Sequence, residues 1–514
     1  MKANNANNKN LSLAISLALC FFAVAFIISL SQFIWLDEAY TLNSTSANLK
    51  QVWFRAINFE GQPPLYFIIL KLWRLVNNSF LFSRLLSVLL ASVSVFFVFK
   101  ISEISIKSIS PIFITLLFAF NPIVLWAALE IRVYAMVLLF SVILIWVFLN
   151  TYPYGQKPLL SNRILYSVLA LMSVYIQYYL VFLLIGSFVF LIINKEWKSA
   201  RLYIFDMILP ILGFIFLISN ISNQMSIHDY HDELDISIFN TLTFLFDKVI
   251  TYLFPYFMYI TSGTLKFLLI SIIFAGLLIL AGGNINSKLI RKNYFISIVI
   301  VLLILFAILV SFTDIRNIAQ RHSISLLLPI ILSFTLILSF IQSNAIRIAI
   351  LTAMIVGNLI TDTLSIEIFK QKGSKFIEVS DVILKNDKNN IPVFCYRYDL
   401  ALVLKYSVPK HNVIPIPVNV DFDSYFDRRK WVLKNVNQLD SLFNTNNIHN
   451  GFWLVTSENE ISLNRSIEKK YNIHYNYEIL NNYISNNFII ELESHFSSGI
   501  VLRKISVPVE YISK

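Results

Sequence analysis

Charge is what this chain has least of. Only 14% of its 514 residues are Asp, Glu, Lys or Arg, against about 25% in soluble domains. With 57% hydrophobic residues and a mean hydropathy of +0.68, that scarcity excludes an ordinary soluble enzyme. It implies a polytopic membrane protein. Glycine is also sparse, at 12 residues. No glycine-rich loop follows a strand-like run, so the phosphate cradle of nucleotide-binding enzymes is missing. There are two cysteines, Cys20 in the first apolar run and Cys395 far downstream, and no CxxC or zinc-finger spacing; no structural disulfide is expected. The net charge of +11 does not make a nucleic-acid binder. The basic residues are scattered singly between apolar runs, where such residues set membrane orientation.

What is there is a series of long apolar runs. A span needs about 20 apolar residues. Runs near 11–34, 83–100, 110–128, 131–150, 162–177, 178–194, 203–220, 264–282, 294–312, 323–341 and 346–363 predict about eleven transmembrane helices. The first run is too long for a signal-peptide core and lacks a small-residue cleavage site, so it reads as a retained span. PLYFIILKLWRLV, 64–76, is apolar but short, and is expected to lie at or re-enter the interface. With the N-terminus in the cytoplasm, the inner connections collect the sharpest basic clusters, Lys195 to Arg201 and Lys288 to Lys292. The outer connections are then 35–82, 128–131, a turn near 177, 221–263, 313–322 and everything after about 364.

After Thr363 the composition shifts to Lys, Asn, Asp and Glu. Short β-like runs, IPVFCYR, NVIPIPV, GFWLVTS and SGIVLRKI, alternate with helical patterns. The chain therefore divides into a transmembrane domain, 1–363, and a small extracytoplasmic α/β domain, 364–514. The fold class is mainly α, polytopic, with that small C-terminal domain.

Three acids fall on the expected outer face. Asp37 and Glu38 follow the first run in FIWLDEAYTL, and Glu60 stands just before Pro63 and Pro64, which stop any helix from running through. A carboxylate at a membrane surface can take the proton from an attacking hydroxyl; acids also simply mark the end of a span. In the outer loop 221–263, HDYHDELD places two histidines, His228 and His231, among four acids, a composition that suits either a divalent metal or a solvated loop.

Taken in order, Asp37-Glu38, then Glu60-x-x-Pro-Pro-Leu-Tyr, then Ser83-Arg84-Leu-Leu-Ser resemble the bacterial branch of the protein O-mannosyltransferase and aminoarabinose transferase superfamily, integral-membrane GT-C glycosyltransferases. The similarity continues in Glu130-x-Arg132-x-Tyr134 and in Arg321-His322 followed by Pro329. The resemblance implies a donor sugar on a polyprenyl phosphate and a lipid, glycan or protein acceptor, in a bacterial inner membrane. It implies that Asp37 is the base, with Glu38 as a helper or structural acid. It implies that Arg132 and Arg321, with Arg84, Tyr134 and Tyr179, receive the leaving phosphate, since a guanidinium fork suits phosphate oxygens. Relatives with a divalent metal imply a set of Glu60 with His228 or His231. The family's usual histidine before the proline pair is Gln62 here, and near the Tyr178 position, where the family often shows a histidine, Gln177 stands. A transporter, or a flippase or ligase for polyprenyl-linked glycans, is the rival class. Against a transporter stand acids gathered at one face and no two-fold repeat.

Overall fold

Each apolar run becomes a helix or a pair of helices. The computed structural model describes residues 2–152, 158–227, 246–247, 249–260, 262–281, 293–312, 320–387, 389–396, 398–416, 433–446, 448–457, 477–496 and 499–508. The helices are α1 (Lys2–Leu30), α2 (Leu36–Ser44), α3 (Leu49–Asn58), α4 (Leu65–Arg74), α5 (Phe80–Ser105), α6 (Pro111–Ala119), α7 (Pro122–Leu129), α8 (Tyr134–Thr151), α9 (Leu160–Val174) and α10 (Leu180–Ile193). They continue with α11 (Trp197–Asp206), α12 (Ile208–Ile227), α13 (Gly263–Ala281), α14 (Tyr294–Phe312), α15 (Leu327–Leu338), α16 (Asn344–Asn386), α17 (Tyr398–Ser407), α18 (Val436–Thr445) and α19 (Tyr477–Asn487). The strands are β1 (Val393–Tyr396), β2 (Val413–Ile416), β3 (Phe452–Ser457), β4 (Ile489–His495) and β5 (Ile500–Ser506). The chain forms two compact units, Met1–Leu30 with Gly61–Ile366, and Ser31–Glu60 with Glu367–Lys514.

The first unit is the helical bundle. Among the described residues five helices are long and apolar enough to cross a bilayer, or seven if two bent pairs count as one span each. The remaining predicted runs appear as shorter apolar helices in α9, α10, α13 and α14. Two of these helix pairs are bent, the first with a local cause. Between α6 and α7 the axis turns by 54°, where Pro122 has no N–H to continue the ladder and the Asn121 side chain instead caps Ile123 N at 3.2 Å. Between α11 and α12 it turns by 47°. Large apolar side chains point outward along the bundle, Ile27 at 65% and Phe216 at 76% exposure. In water such surface would be a liability; in lipid it is solvated.

One end of the bundle is locked by ion pairing. Arg163 on α9 grips Asp206 at the end of α11 through both carboxylate oxygens, at 2.9 and 2.8 Å. The Tyr152 hydroxyl adds a third bond to Asp206 at 2.7 Å. Next to it Tyr152, Tyr166, Tyr203 and Tyr294 surround the Phe148 ring. Their hydroxyls find partners, as buried phenols must: Tyr166 meets Tyr203 at 3.1 Å and Tyr294 meets Ser187 at 2.9 Å.

The second unit holds the sheet, in strand order β2-β1-β3-β5-β4. β1 pairs in parallel with β2 and β3; β5 runs antiparallel to β3 and β4. Phe394, Phe443, Phe452 and Phe488 form its aromatic core with Leu454 and Leu480. The described residues realise all four β-like runs and add β4, which the sequence reading left out. Asp387, just after α16, ties three segments together. It accepts from Ile391 N at 3.0 Å, from the Trp453 indole at 3.3 Å, and pairs with His411 Nε2 at 3.0 Å. The span ending near 363 and the predicted helix 375–386 are one continuous helix, α16. A change of composition does not break a helix that meets no proline. The segment Ser31–Glu60 packs in this unit, with α2 against α17.

Candidate functional site

In the first unit, the positions where the motifs fall draw together by a chain of contacts. Ser79 caps α5, accepting from Phe82 N at 3.3 Å. That start places Arg84 one turn inside, 1% exposed, donating to Ser29 O at 3.4 Å and lying 5.8 Å from the Phe80 ring centre. One turn further, Ser87 Oγ donates to Glu130 O at 2.7 Å. This bond fixes the Glu130-x-Arg132-x-Tyr134 turn beside the Arg84 face of α5, since residues three apart share a helix face. Tyr134 is buried, its ring centre 4.7 Å from that of Trp126 and tilted 30° to it. The 3-10 segment Gln320–Leu326 packs on α8, which Tyr134 begins. Its Ser323 meets the Tyr252 hydroxyl at 2.8 Å, and its His322 ring lies 5.7 Å from Tyr179. The turn carrying Tyr179 in turn receives the first N–H of α4, Leu65 N to Tyr175 O at 2.9 Å. Thus Arg84 is brought beside the 130–134 turn, and Tyr179 beside the Arg321-His322 pair.

The first helix ends earlier than its apolar run, and the acids that follow it fall in the second unit. α1 stops at Leu30 and a new helix, α2, starts at Leu36. Asp37 and Glu38 therefore open a short helix instead of closing a span. Their charge favours that first turn, where unpaired N–H groups concentrate positive potential. Glu38 is buried, and its carboxylate accepts from Trp35 N at 3.4 Å; it caps the helix. Asp37, beside it, is half-buried. The Lys372 ammonium sits 4.2 Å from the Trp35 ring centre, a cation–π contact. Gly373 lets Phe33 and Ile34 pass closely, since a Cβ there would come within 2.8 Å of Phe33 Cβ and 2.9 Å of Ile34 O. At the far end of α2, Ser44 Oγ donates to Glu60 at 3.0 Å. Asp37 and Ser44, the residue that holds Glu60, thus stand at opposite ends of α2, about 10 Å apart along its axis by helix rise.

His228 and His231 lie outside the described residues. Among the described residues no three His, Cys, Asp or Glu side chains gather as metal ligands. Glu60 is the member of the expected metal set that falls within them. Sequence reasoning missed Arg74, 6% exposed at the end of α4; the i, i+3 pair Lys71 and Arg74 was its visible signal. It also missed an apolar groove of about 470 Å³ along α9 to α12, whose lining includes Val174, Val181, Phe188, Tyr203, Met207 and Ile215.

No family model matches the sequence, and no curated protein does. Solved structures do resemble the fold. The chain is similar to ArnT from Cupriavidus metallidurans bound to undecaprenyl phosphate, at 10% identity and TM-score 0.57, covering 96% of this chain and 97% of that one. The apo state of the same protein is also similar, at 11% identity and TM-score 0.48, covering 97% and 98%. At these identities the likeness is one of fold. The chain shares the fold of that undecaprenyl-phosphate-bound ArnT structure, mainly helical with a small C-terminal sheet.

Proposed function

We propose that this protein transfers a sugar from a polyprenyl-phosphate donor to an acceptor at the outer face of a bacterial inner membrane. The observation that carries it is the likeness of fold to ArnT bound to undecaprenyl phosphate, which runs over 96% of the chain instead of a single module. Two features of this chain support the reading. Its arginines lie at the motif positions, with Arg84 packed beside the 130–134 turn. Its groove along α9 to α12 is lined by apolar side chains, which suits an isoprenoid tail.

The acceptor hydroxyl attacks the anomeric carbon. The new C–O bond forms as the bond from that carbon to the phosphate oxygen breaks. Asp37 takes the hydroxyl proton, and polyprenyl phosphate leaves with the bonding pair. Arg132 and Arg321, with Arg84, Tyr134 and Tyr179, meet the charge that grows on the leaving oxygens. Glu38 positions Asp37 by capping α2. Glu60, with His228 or His231, is assigned to a divalent ion outside these steps. The N-terminus is assigned to the cytoplasm and the C-terminal domain to the outside, from the basic inner loops. The acceptor is a lipid, glycan or protein.

Purified protein given a radiolabelled polyprenyl-phosphate sugar and envelope acceptors is expected to transfer label. Asp37→Asn is expected to slow transfer by about 10²–10⁴-fold, the usual contribution of a general base. Equal transfer by both proteins would remove Asp37 as the base, and the same assay with EDTA decides the ion. A carrier for polyprenyl-linked glycans is the second reading, and the two bent helix pairs are what favour it. Label crossing vesicles with no label reaching an acceptor would select the carrier.

A further inference from the structure

One buried acid in the first unit has no task in that reaction. α16 buries a stripe at helical spacing: Leu351, Met354 and Ile355, then Asn358, Asp362 and Ser365. The opposite face, with Val356, Leu359, Ile360 and Leu364, is exposed. The stripe lies in the stretch Asn344–Gly373, long and apolar enough to cross a bilayer. Its second half is polar where the first is apolar. Asn358 is 1% exposed and Asp362 5%. Asn358 Nδ2 donates to Leu117 O at 3.3 Å, and Ser365 Oγ faces the Tyr259 hydroxyl at 3.4 Å. The Tyr256 ring closes over Gly357, within 2.8 Å of where a Cβ would stand. Among the described residues, Asn358 Oδ1 and Asp362 Oδ1 are buried with no hydrogen-bond partner.

Both orphaned atoms are acceptors, and they stand one turn apart on one face. Acceptors without donors call for a donor or a cation, not for more oxygen. A carboxylate held in a membrane span is costly until its charge is balanced. No basic side chain among the described residues pairs with Asp362. Among the described residues, the titratable groups in contact with this helix at Gly357 and Ser365 are Tyr256 and Tyr259, ordinarily uncharged at neutral pH. The helix α6, which supplies Leu117 O, carries no ionisable residue.

We propose that Asn358, Asp362 and Ser365 form a site inside the bundle that holds one monovalent cation, either a sodium ion or a proton. The two share one chemistry, a single positive charge against a single carboxylate. Amide, carboxylate and hydroxyl oxygens are hard ligands that suit a small hard cation. A proton on Asp362 would remove its charge and turn one of these acceptors into a donor. The site is independent of the sugar-transfer assignment, and its readout is not activity.

The test is the thermal midpoint of the purified full chain, read by tryptophan fluorescence. Sodium is exchanged for choline at constant ionic strength, and pH is varied from about 6 to about 9 without sodium. For a sodium site, the wild-type midpoint rises saturably by a few degrees with sodium at the alkaline end. For a proton site, it rises as pH falls and ignores sodium. In either case Asp362→Asn, nearly isosteric and uncharged, is expected to abolish the dependence. Asn358→Leu removes the second oxygen and keeps the acid; it is expected to move the half-point of the same dependence several-fold in cation concentration. A wild-type midpoint that responds to neither cation beyond the response of Asp362→Asn overturns the site. Should that variant not fold, an Asn358→Leu curve superimposing on wild type overturns it equally.

Discussion

At the scale of single residues, the acids of FIWLDEAYTL divide their labour. Glu38 spends its carboxylate on Trp35 N and is buried, while Asp37 keeps partial access to solvent. Neighbours in sequence therefore have different surroundings, the difference that the proposed roles of base for Asp37 and positioning acid for Glu38 require. The passage that holds them depends on Gly373. Its missing Cβ leaves room for Phe33 and the Ile34 carbonyl, both within 3 Å of that position. Gly373→Ala is expected to cost about 1–3 kcal/mol, the range for overpacking a filled site, and Gly373→Val more. Thermal unfolding of the two variants checks this; midpoints equal to wild type would mean that the 33–34 segment yields freely. The identities of the acids were legible in the sequence because charge is rare in it. The role of Gly373 was not, because a close approach between residues some 340 apart in the chain leaves no local mark.

At the scale of elements, hydropathy located the helices well and their ends poorly. The apolar run 11–34 suggested a span reaching almost to Asp37, yet α1 stops at Leu30. Ser31 and Gln32 are too few to interrupt a hydropathy window, though they suffice to let the backbone leave the helix. The strand β4 escaped for a related reason. Its residues are exposed almost throughout, and the apolar–polar alternation Ile490-Glu491-Leu492-Glu493 spans only four positions, the shortest stretch that reads as a strand. By contrast, Arg163 follows the 153–157 connection, where a basic residue reads simply as an orientation signal, and the structure gives it a partner, Asp206, that orientation rules do not mention. Three bonds converge on that carboxylate. Asp206→Asn is expected to destabilise the bundle by about 2–3 kcal/mol, below the fully buried range because the Arg163 side chain keeps 19% of its surface exposed. A midpoint unchanged by Asp206→Asn would mean that the aromatic cluster around Phe148 holds that end alone.

At the scale of the whole molecule, the division is not a single cut. The chain leaves the first unit after Leu30, returns at Gly61 and leaves again after Ile366. A composition change near 363 is visible in sequence; the recruitment of Ser31–Glu60 to the second unit is not, because it depends on a packing face of α2 against α17. A fragment holding only residues 367–514 is accordingly expected to bind a hydrophobic dye and melt below a fragment in which 31–60 is fused to it. Equal dye binding and equal melting of the two would show that α2 is dispensable to the sheet.

The near absence of sulfur chemistry noted at the start leaves a usable handle. Cys395 lies at the heart of β1 and is fully covered, whereas Cys20 is on the exposed side of α1. With Cys20 replaced by serine, the second unit carries a native thiol clock. The rate at which a maleimide reaches Cys395 times the opening of that strand, with no engineered label and no signal from the bundle.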